Sequence, residues 1–162
     1  MLEMIIAGIQ KENKLLLGDS KPEGNGMLWH IPEDFQWFQE KTKNKILLVG
    51  ETTSKFMPIE KINGNLGRKV IVLKTKEDSN KIIKELKKNP SENYIICGGL
   101  TIYNYFLDHC IFDKIYFTLI NNNVKYKIPK EPLFLNLNKF NQYSFNDFHE
   151  TENAKFYILK KR

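Results

Sequence analysis

Five short apolar runs, Met4 to Ile9, Ile46 to Val49, Val70 to Leu73, Tyr94 to Cys97 and Ile115 to Ile120, alternate with segments whose apolar residues recur at helical spacing. Runs this short read as buried strands, and strands alternating with helices predict a mostly parallel sheet covered on both faces. In such a sheet ligands bind at the carboxyl ends of the strands. The helical segments are Pro32 to about Lys43, Thr52 to Met57, a stretch capped by Ser79 and reaching about Lys88, and one in which Ile102, Tyr103, Phe106 and Leu107 share a face. Pro32 suits a first helical position, where its missing N–H costs nothing, and Glu33 and Asp34 add favourable charge to that end. Tyr143 to Phe148 and Ala154 to Leu159 flank a polar turn and read as an antiparallel pair completing the sheet. Asn121-Asn122-Asn123 reads as a tight turn. Between Lys11 and Leu28, Gly18, Pro22, Gly24 and Gly26 argue against regular structure after Leu17 and predict a long mobile loop.

A chain of 162 residues with 41% hydrophobic and 12% aromatic residues has material for one packed core, so a single domain over 1–162 is expected. No apolar run approaches the roughly 20 residues that cross a bilayer. Met4 to Ile9 leads into a polar turn without a charged leader or a cleavage-like site, so a cytoplasmic product is expected. Cys97 and Cys110 fit no metal-ligand pattern and are expected as free thiols. The charge of +6 would attract a phosphorylated cofactor, a polycarboxylate or nucleic acid. The basic residues are dispersed and no nucleic-acid reader motif is present, so neither nucleic acid nor membrane is expected as a partner.

Three features carry chemistry. In Trp29-His30-Ile31-Pro32-Glu33-Asp34-Phe35-Gln36-Trp37-Phe38, Asp34 and Phe38 share a helix face flanked by Phe35. A carboxylate there either meets a hydrogen-bonding ligand, such as a heterocycle with adjacent N–H donors, or decorates the helix terminus from solvent. Cys97-Gly98-Gly99 joins a strand to a helix; the glycines either admit a phosphate ligand to the helix N–H groups or form an ordinary turn. Arg68, just before a strand, either pairs with a ligand carboxylate or is solvated.

Taken together and in order, these segments resemble the dihydrofolate reductase family. The resemblance runs through Ile6-Ala7, Trp29-x-x-Pro32-x-Asp34 with Phe38, Lys45 to Gly50, Thr53, Arg68, Gly98-Gly99-x-x-Ile102-Tyr103 and Tyr116-x-Thr118. It implies an α/β fold with a central, mostly parallel sheet of about eight strands, an antiparallel C-terminal strand and flanking helices. It also implies NADPH-dependent hydride transfer to C6 of dihydrofolate, with protonation at N5, by a monomer. Asp34 would hold the pterin ring, supported by Thr118 and by a water on Trp29. The carbonyls of Ile6 and Cys97 would mark the ring edges, Phe35, Phe38 and Met57 would pack on the substrate, and Arg68 would clamp its α-carboxylate. Ala7 would face the nicotinamide. Gly98, Gly99, Ile102 and Tyr103 would admit the dinucleotide, with Lys45, Gly50, Thr53 and Thr101 on phosphates and Gly18 in the loop that closes over the cofactor.

Some positions depart from the family pattern. Glu51 stands where an arginine often binds the cofactor's 2′-phosphate and Thr101 where a basic or polar side chain is common, so NADH is a possible cofactor, with Lys74, Thr75 and Lys76 as candidate compensation. Leu28 replaces a proline, and the usual loop segment after the Thr118 strand is not recognisable in Lys125 to Leu135. A pyrimidine reductase of riboflavin synthesis would share the fold and the glycine turn, but Asp34 on its aromatic helix argues against it. A silent basic binding module rests on charge alone.

Overall fold

The computed structural model describes the backbone of residues 1–162 and every side chain except those of residues 147 and 148. In chain order the elements are β1 (Leu2–Lys11), β2 (Lys14–Asp19), α1 (Pro32–Thr42), β3 (Ile46–Gly50), α2 (Glu51–Ser54), α3 (Ile59–Ile62), β4 (Lys69–Leu73), α4 (Lys76–Lys88), β5 (Tyr94–Gly98), α5 (Leu100–His109), β6 (Lys114–Ile120), β7 (Pro132–Asn136), β8 (Tyr143–Glu150) and β9 (Ala154–Lys161). The main sheet runs β4-β3-β5-β1-β6-β9-β8. Its first five strands are mutually parallel, and β9 is antiparallel to both β6 and β8. The expected α/β class, mostly parallel sheet and reversed C-terminal strand are therefore all present.

The sheet has nine strands rather than about eight. The extra pairing involves β2, which lies inside the segment expected to be loop. Leu15 and Leu16 are buried because β2 folds back on β1 as a hairpin and pairs on its other edge with β7. A second correction concerns α4, which is capped by Thr75 and not by Ser79. The Thr75 hydroxyl accepts the Asp78 N–H, while the Asp78 carboxylate accepts the N–H groups of Lys74 and Thr75. This reciprocal box starts the helix four residues earlier and leaves Ser79 buried within it. The helix expected over Thr52 to Met57 is only the single turn α2, Glu51–Ser54, and α3 starts after Pro58, which cannot continue a helix.

Alternating residues of β1 bury opposite faces of the sheet. Met4 and Ile6 join Leu48, Ile96, Phe106 and Phe117 under α4 and α5. Ile5 and Ile9 join Leu47, Ile95, Tyr116, Trp29 and Trp37 under α1. Each large side chain removed from water contributes roughly 1.5–3 kcal/mol, so both layers hold the strands in register. Among the described residues no helix is long and apolar enough to cross a membrane.

Candidate active site

The site begins where two neighbouring strands part. β1 pairs with β5 only over Leu2–Met4, yet it follows β6 as far as Gly8. Beyond Met4, one edge of β1 is therefore open toward the C-terminal end of β5, the place where the sheet's strand order makes a crevice. The Tyr103 hydroxyl, from α5, donates to the Ile5 carbonyl across this gap at 2.7 Å. Successive carbonyls on a strand point to opposite edges. Ile5 and Ala7 thus present theirs to the gap, while that of Ile6 belongs to the ladder with β6. The carbonyl beside the gap is therefore that of Ile5, and Ile6, named from the sequence, turns its own toward β6. Cys97 sits beside the gap, at the bulge in the β3–β5 ladder.

On the α1 face, Ile5 packs in one apolar cluster with Ala7, Trp29, Phe38, Met57 and Cys97. Phe35 remains at its solvent edge, 44% exposed and tilted against His30. Asp34 lies in the first turn of α1, with its N–H bonded to the Ile31 carbonyl at 3.0 Å. Burial pushes its carboxyl up to about 6; Thr118 pulls against that rise and the charge of Glu33 adds to it. Half-buried beside Thr118, Asp34 does not fit a carboxylate that decorates the helix terminus from open solvent, where the ionised form would be favoured. The fully buried Thr118 hydroxyl stands by Asp34 but falls short of hydrogen-bond geometry, and with Trp29 Nε1 it finds no partner among the described residues. Such groups cost roughly 1–3 kcal/mol each unless ligand or solvent takes the bond, so the cluster fits a polar heterocycle.

Arg68 is also buried, at 5% exposure. Its Nε donates to the Asn65 carbonyl at 3.0 Å and its Nη1 to the Thr42 hydroxyl at 3.3 Å, and among the described residues it makes no ion pair. A guanidinium held from its stem side, with donors left over, is prepared for an incoming carboxylate. Across the gap, the glycines make a cradle that side chains would fill. A Cβ on Gly99 would lie 2.9 Å from Thr53 Oγ1, and one on Gly50 would lie 3.0 Å from Ile102 Cγ1. Gly98 has φ +117, a conformation that L side chains rarely adopt. Gly99 caps α5 without any side chain on the first-turn N–H groups, which therefore suit a phosphate. The residues present thus fit a dinucleotide whose pyrophosphate meets α5.

The family model for dihydrofolate reductase matches residues 4–160, from the first strand to the last. The chain belongs to the dihydrofolate reductase family. Relatives carrying that name include one from Buchnera aphidicola of Acyrthosiphon pisum, 30% identical over 128 residues, covering 74% of this chain and 73% of the relative. Another, from Buchnera aphidicola of Schizaphis graminum, is 29% identical over 117 residues and 68% of each chain. One from Neisseria gonorrhoeae is 36% identical over 78 residues, 48% of this chain and 43% of the relative. With membership comes the family's reaction, reduction of dihydrofolate with a nicotinamide cofactor.

Within this dihydrofolate reductase family site some expected contacts are not made. Lys45 precedes β3 and forms an ion pair with buried Glu3 at 2.5 Å, at the entry end of the strands. The glycine cradle is at the exit end of β3, so Lys45 does not hold a phosphate. The Thr75 hydroxyl and the Lys74 and Thr75 N–H groups are committed to the α4 cap, and the Asp78 carboxylate that accepts them is held below its usual range by the Lys74 and Thr75 N–H bonds. That end of β4 therefore adds the Asp78 carboxylate near Glu51, which opens α2 after the adjoining strand β3, and Thr75 is not free to compensate for it. The side-chain ammoniums of Lys74 and Lys76 remain as candidate cations there, and Lys81 also acts on Asp78.

The loop contacts that no sequence pattern revealed are made by Asp19. Its carboxylate accepts N–H groups of Lys21, Lys130 and Glu131 at 2.8–3.0 Å. The Ser20 hydroxyl reaches Glu131 at 2.6 Å and the Lys127 N–H reaches the Leu28 carbonyl at 2.8 Å. The segment before Trp29 is thus tied to residues 127–131. Gly18 lies within β2, at the bulge against β7, and a Cβ there would meet nothing. The short Gly-Asp-Ser sequence was the available signal, since Asp accepts N–H groups at turns.

Proposed function

We propose that this chain reduces 7,8-dihydrofolate to tetrahydrofolate, with NADPH as the cofactor and NADH as an accepted alternative. The reading is carried by Asp34, a carboxyl of raised proton affinity on an aromatic helix face beside the β1–β5 gap. When bound, the reduced nicotinamide supplies a hydride to pterin C6. Asp34 hydrogen-bonds the pterin 2-amino group and its neighbouring ring nitrogen, which fixes the ring and promotes addition of a solvent proton at N5. Ile5, Cys97, Trp29 and Thr118 supply the remaining polar edges, and Phe35, Phe38 and Met57 the apolar walls. The protein's contribution is placement of the two reacting rings and exclusion of water. Mixing the protein with dihydrofolate and NADPH or NADH should consume the nicotinamide absorbance; no dihydrofolate-dependent loss with either cofactor would end the proposal.

Two residues divide the specificity. Arg68→Leu is expected to raise KM for dihydrofolate by about 100-fold, on the scale of losing one partner of a buried charge pair. A dihydropterin lacking the glutamyl tail should show no such change; an equal effect on both substrates would remove Arg68 from the tail site. Glu51→Arg is expected to favour NADPH over NADH by about 1 kcal/mol or more, the scale of reversing a charge beside a phosphate. Fluorescence titration of each cofactor measures this, and an unchanged affinity ratio would place Glu51 away from the 2′-phosphate.

A further inference from the structure

Glu33 precedes Asp34 on α1, and its carboxylate is gripped in a way that a first-turn helical side chain rarely is. Both of its oxygens accept from Asn153 Nδ2, at 3.3 and 3.2 Å. Asn153 is itself fixed in the turn between β8 and β9: its N–H donates to the Thr151 hydroxyl at 3.3 Å, and its carbonyl accepts the Asn121 N–H at 2.8 Å. Asn121 follows the last residue of β6, the strand that carries Thr118. One polar chain therefore links the end of β6, the β8–β9 turn and the first turn of α1, the elements that set Thr118 and Asp34 against each other.

We propose that Glu33 is a positioning residue: held by Asn153, it keeps a fixed negative charge beside Asp34 and thereby sets the pH at which Asp34 gives up its proton. The inference rests on the catalytic reading of Asp34 given above. Burial by itself would push Glu33 up, but its own N–H, Thr151 and Asn153 outweigh that and leave it below the usual carboxylate range. It is therefore ionised at neutral pH, and its charge opposes ionisation of Asp34. The other groups around Asp34 are the Thr118 hydroxyl from β6, the Tyr103 phenol from α5 and the Cys97 thiol from β5. Burial pushes both the phenol and the thiol up, so they are neutral at neutral pH. Glu33 is thus the one charged side chain acting on Asp34 among these groups.

The experiment is a carbon-detected NMR titration of the Asp34 carboxyl in the ligand-free protein, run beside the pH profile of single-turnover hydride transfer. Glu33→Gln retains an acceptor for Asn153 and removes the charge. Asn153→Ala retains the charge and releases it. In Glu33→Gln the Asp34 midpoint should fall by about half to one pH unit, the scale of a nearby charge screened by water. In Asn153→Ala it should fall less, and the melting temperature of Glu33→Gln should stay near that of the parent. A midpoint unmoved in both folded variants would overturn the proposal. A midpoint that moves while the hydride-transfer profile does not would support the positioning role and overturn the catalytic reading of Asp34, so the two failures are distinguishable.

Discussion

Asp34→Asn is expected to slow hydride transfer to dihydrofolate by about 10²–10⁴-fold, the range for losing a placed acid–base group, and to make the protein more stable at the same time. Both effects have one cause. Burial, aided by the Glu33 charge and opposed by Thr118, lifts Asp34 from 3.8 to about 6. The folded chain therefore binds this proton more tightly than the unfolded chain. Below about pH 4 both states are protonated and nothing is lost; as pH rises through about 6, folding must carry a desolvated carboxylate. At ~1.4 kcal/mol per pH unit, the cost reaches on the order of 2–3 kcal/mol above that point. Asparagine has no proton to lose. Urea melts of the two proteins should coincide below about pH 4, diverge as pH rises to about 6 and differ by a constant amount above that, with the variant the more stable. Cofactor affinity should change far less than hydride transfer, since the dinucleotide is received by the glycine backbone at the ends of β3 and β5 rather than by the Asp34 carboxylate. A variant less stable at pH 7.5 would show that Asp34 is not strained by burial, and an equally active one that it is not used in the reaction.

Residues whose chemistry dictates their identity were legible without coordinates. Asp34 among aromatics, Arg68 before a strand and Gly98-Gly99 between strand and helix stood out by residue type, each with a solvated or structural alternative, and Thr118 only by resemblance to the family; the structure buries Arg68 and Thr118 and sets Thr118 by Asp34. What was not legible depends on partners distant in sequence. β2 is a strand because β7 covers its outer edge, a contact between residues such as Leu15 and Leu135 that no local pattern announces. The choice between Ile5 and Ile6 turns on which neighbour leaves β1 first. Side-chain patterning does not report that, because both residues are buried, one on each face of the sheet. Thr75 could have been preferred to Ser79 as a cap, since Thr-x-x-Asp is itself a reciprocal capping pattern. Lys45 fails for a reason already contained in the fold class: a residue at the entry end of a parallel strand is on the wrong side of the sheet for a ligand at the exit end.

Lys45 instead supports the largest stability effect expected of a single substitution. Glu3 is 2% exposed, and its carboxylate meets Lys45 Nζ at 2.5 Å and the Tyr116 hydroxyl, which donates to it at 2.7 Å. The ammonium also lies 4.9 Å from the centre of the Tyr116 ring. This differs from the exposed Lys21–Glu131 pair on the loops, where water screens both charges and the net contribution is about 0–1 kcal/mol. Lys45→Ala leaves the Glu3 charge buried with only a phenol to answer it, and should destabilise the fold by about 3–5 kcal/mol in urea melts. The pair as a whole need not be strongly stabilising, because burying two ions consumes most of what their attraction returns. The double variant Glu3→Met with Lys45→Met should therefore recover most of the loss, giving a large coupling in a double-mutant cycle. Affinity for NADPH should be unaffected in every folded member of the cycle. A phosphate ligand would behave in the opposite way, with cofactor binding lost and stability of the free protein kept, so one set of melts and titrations decides which end of the sheet Lys45 serves.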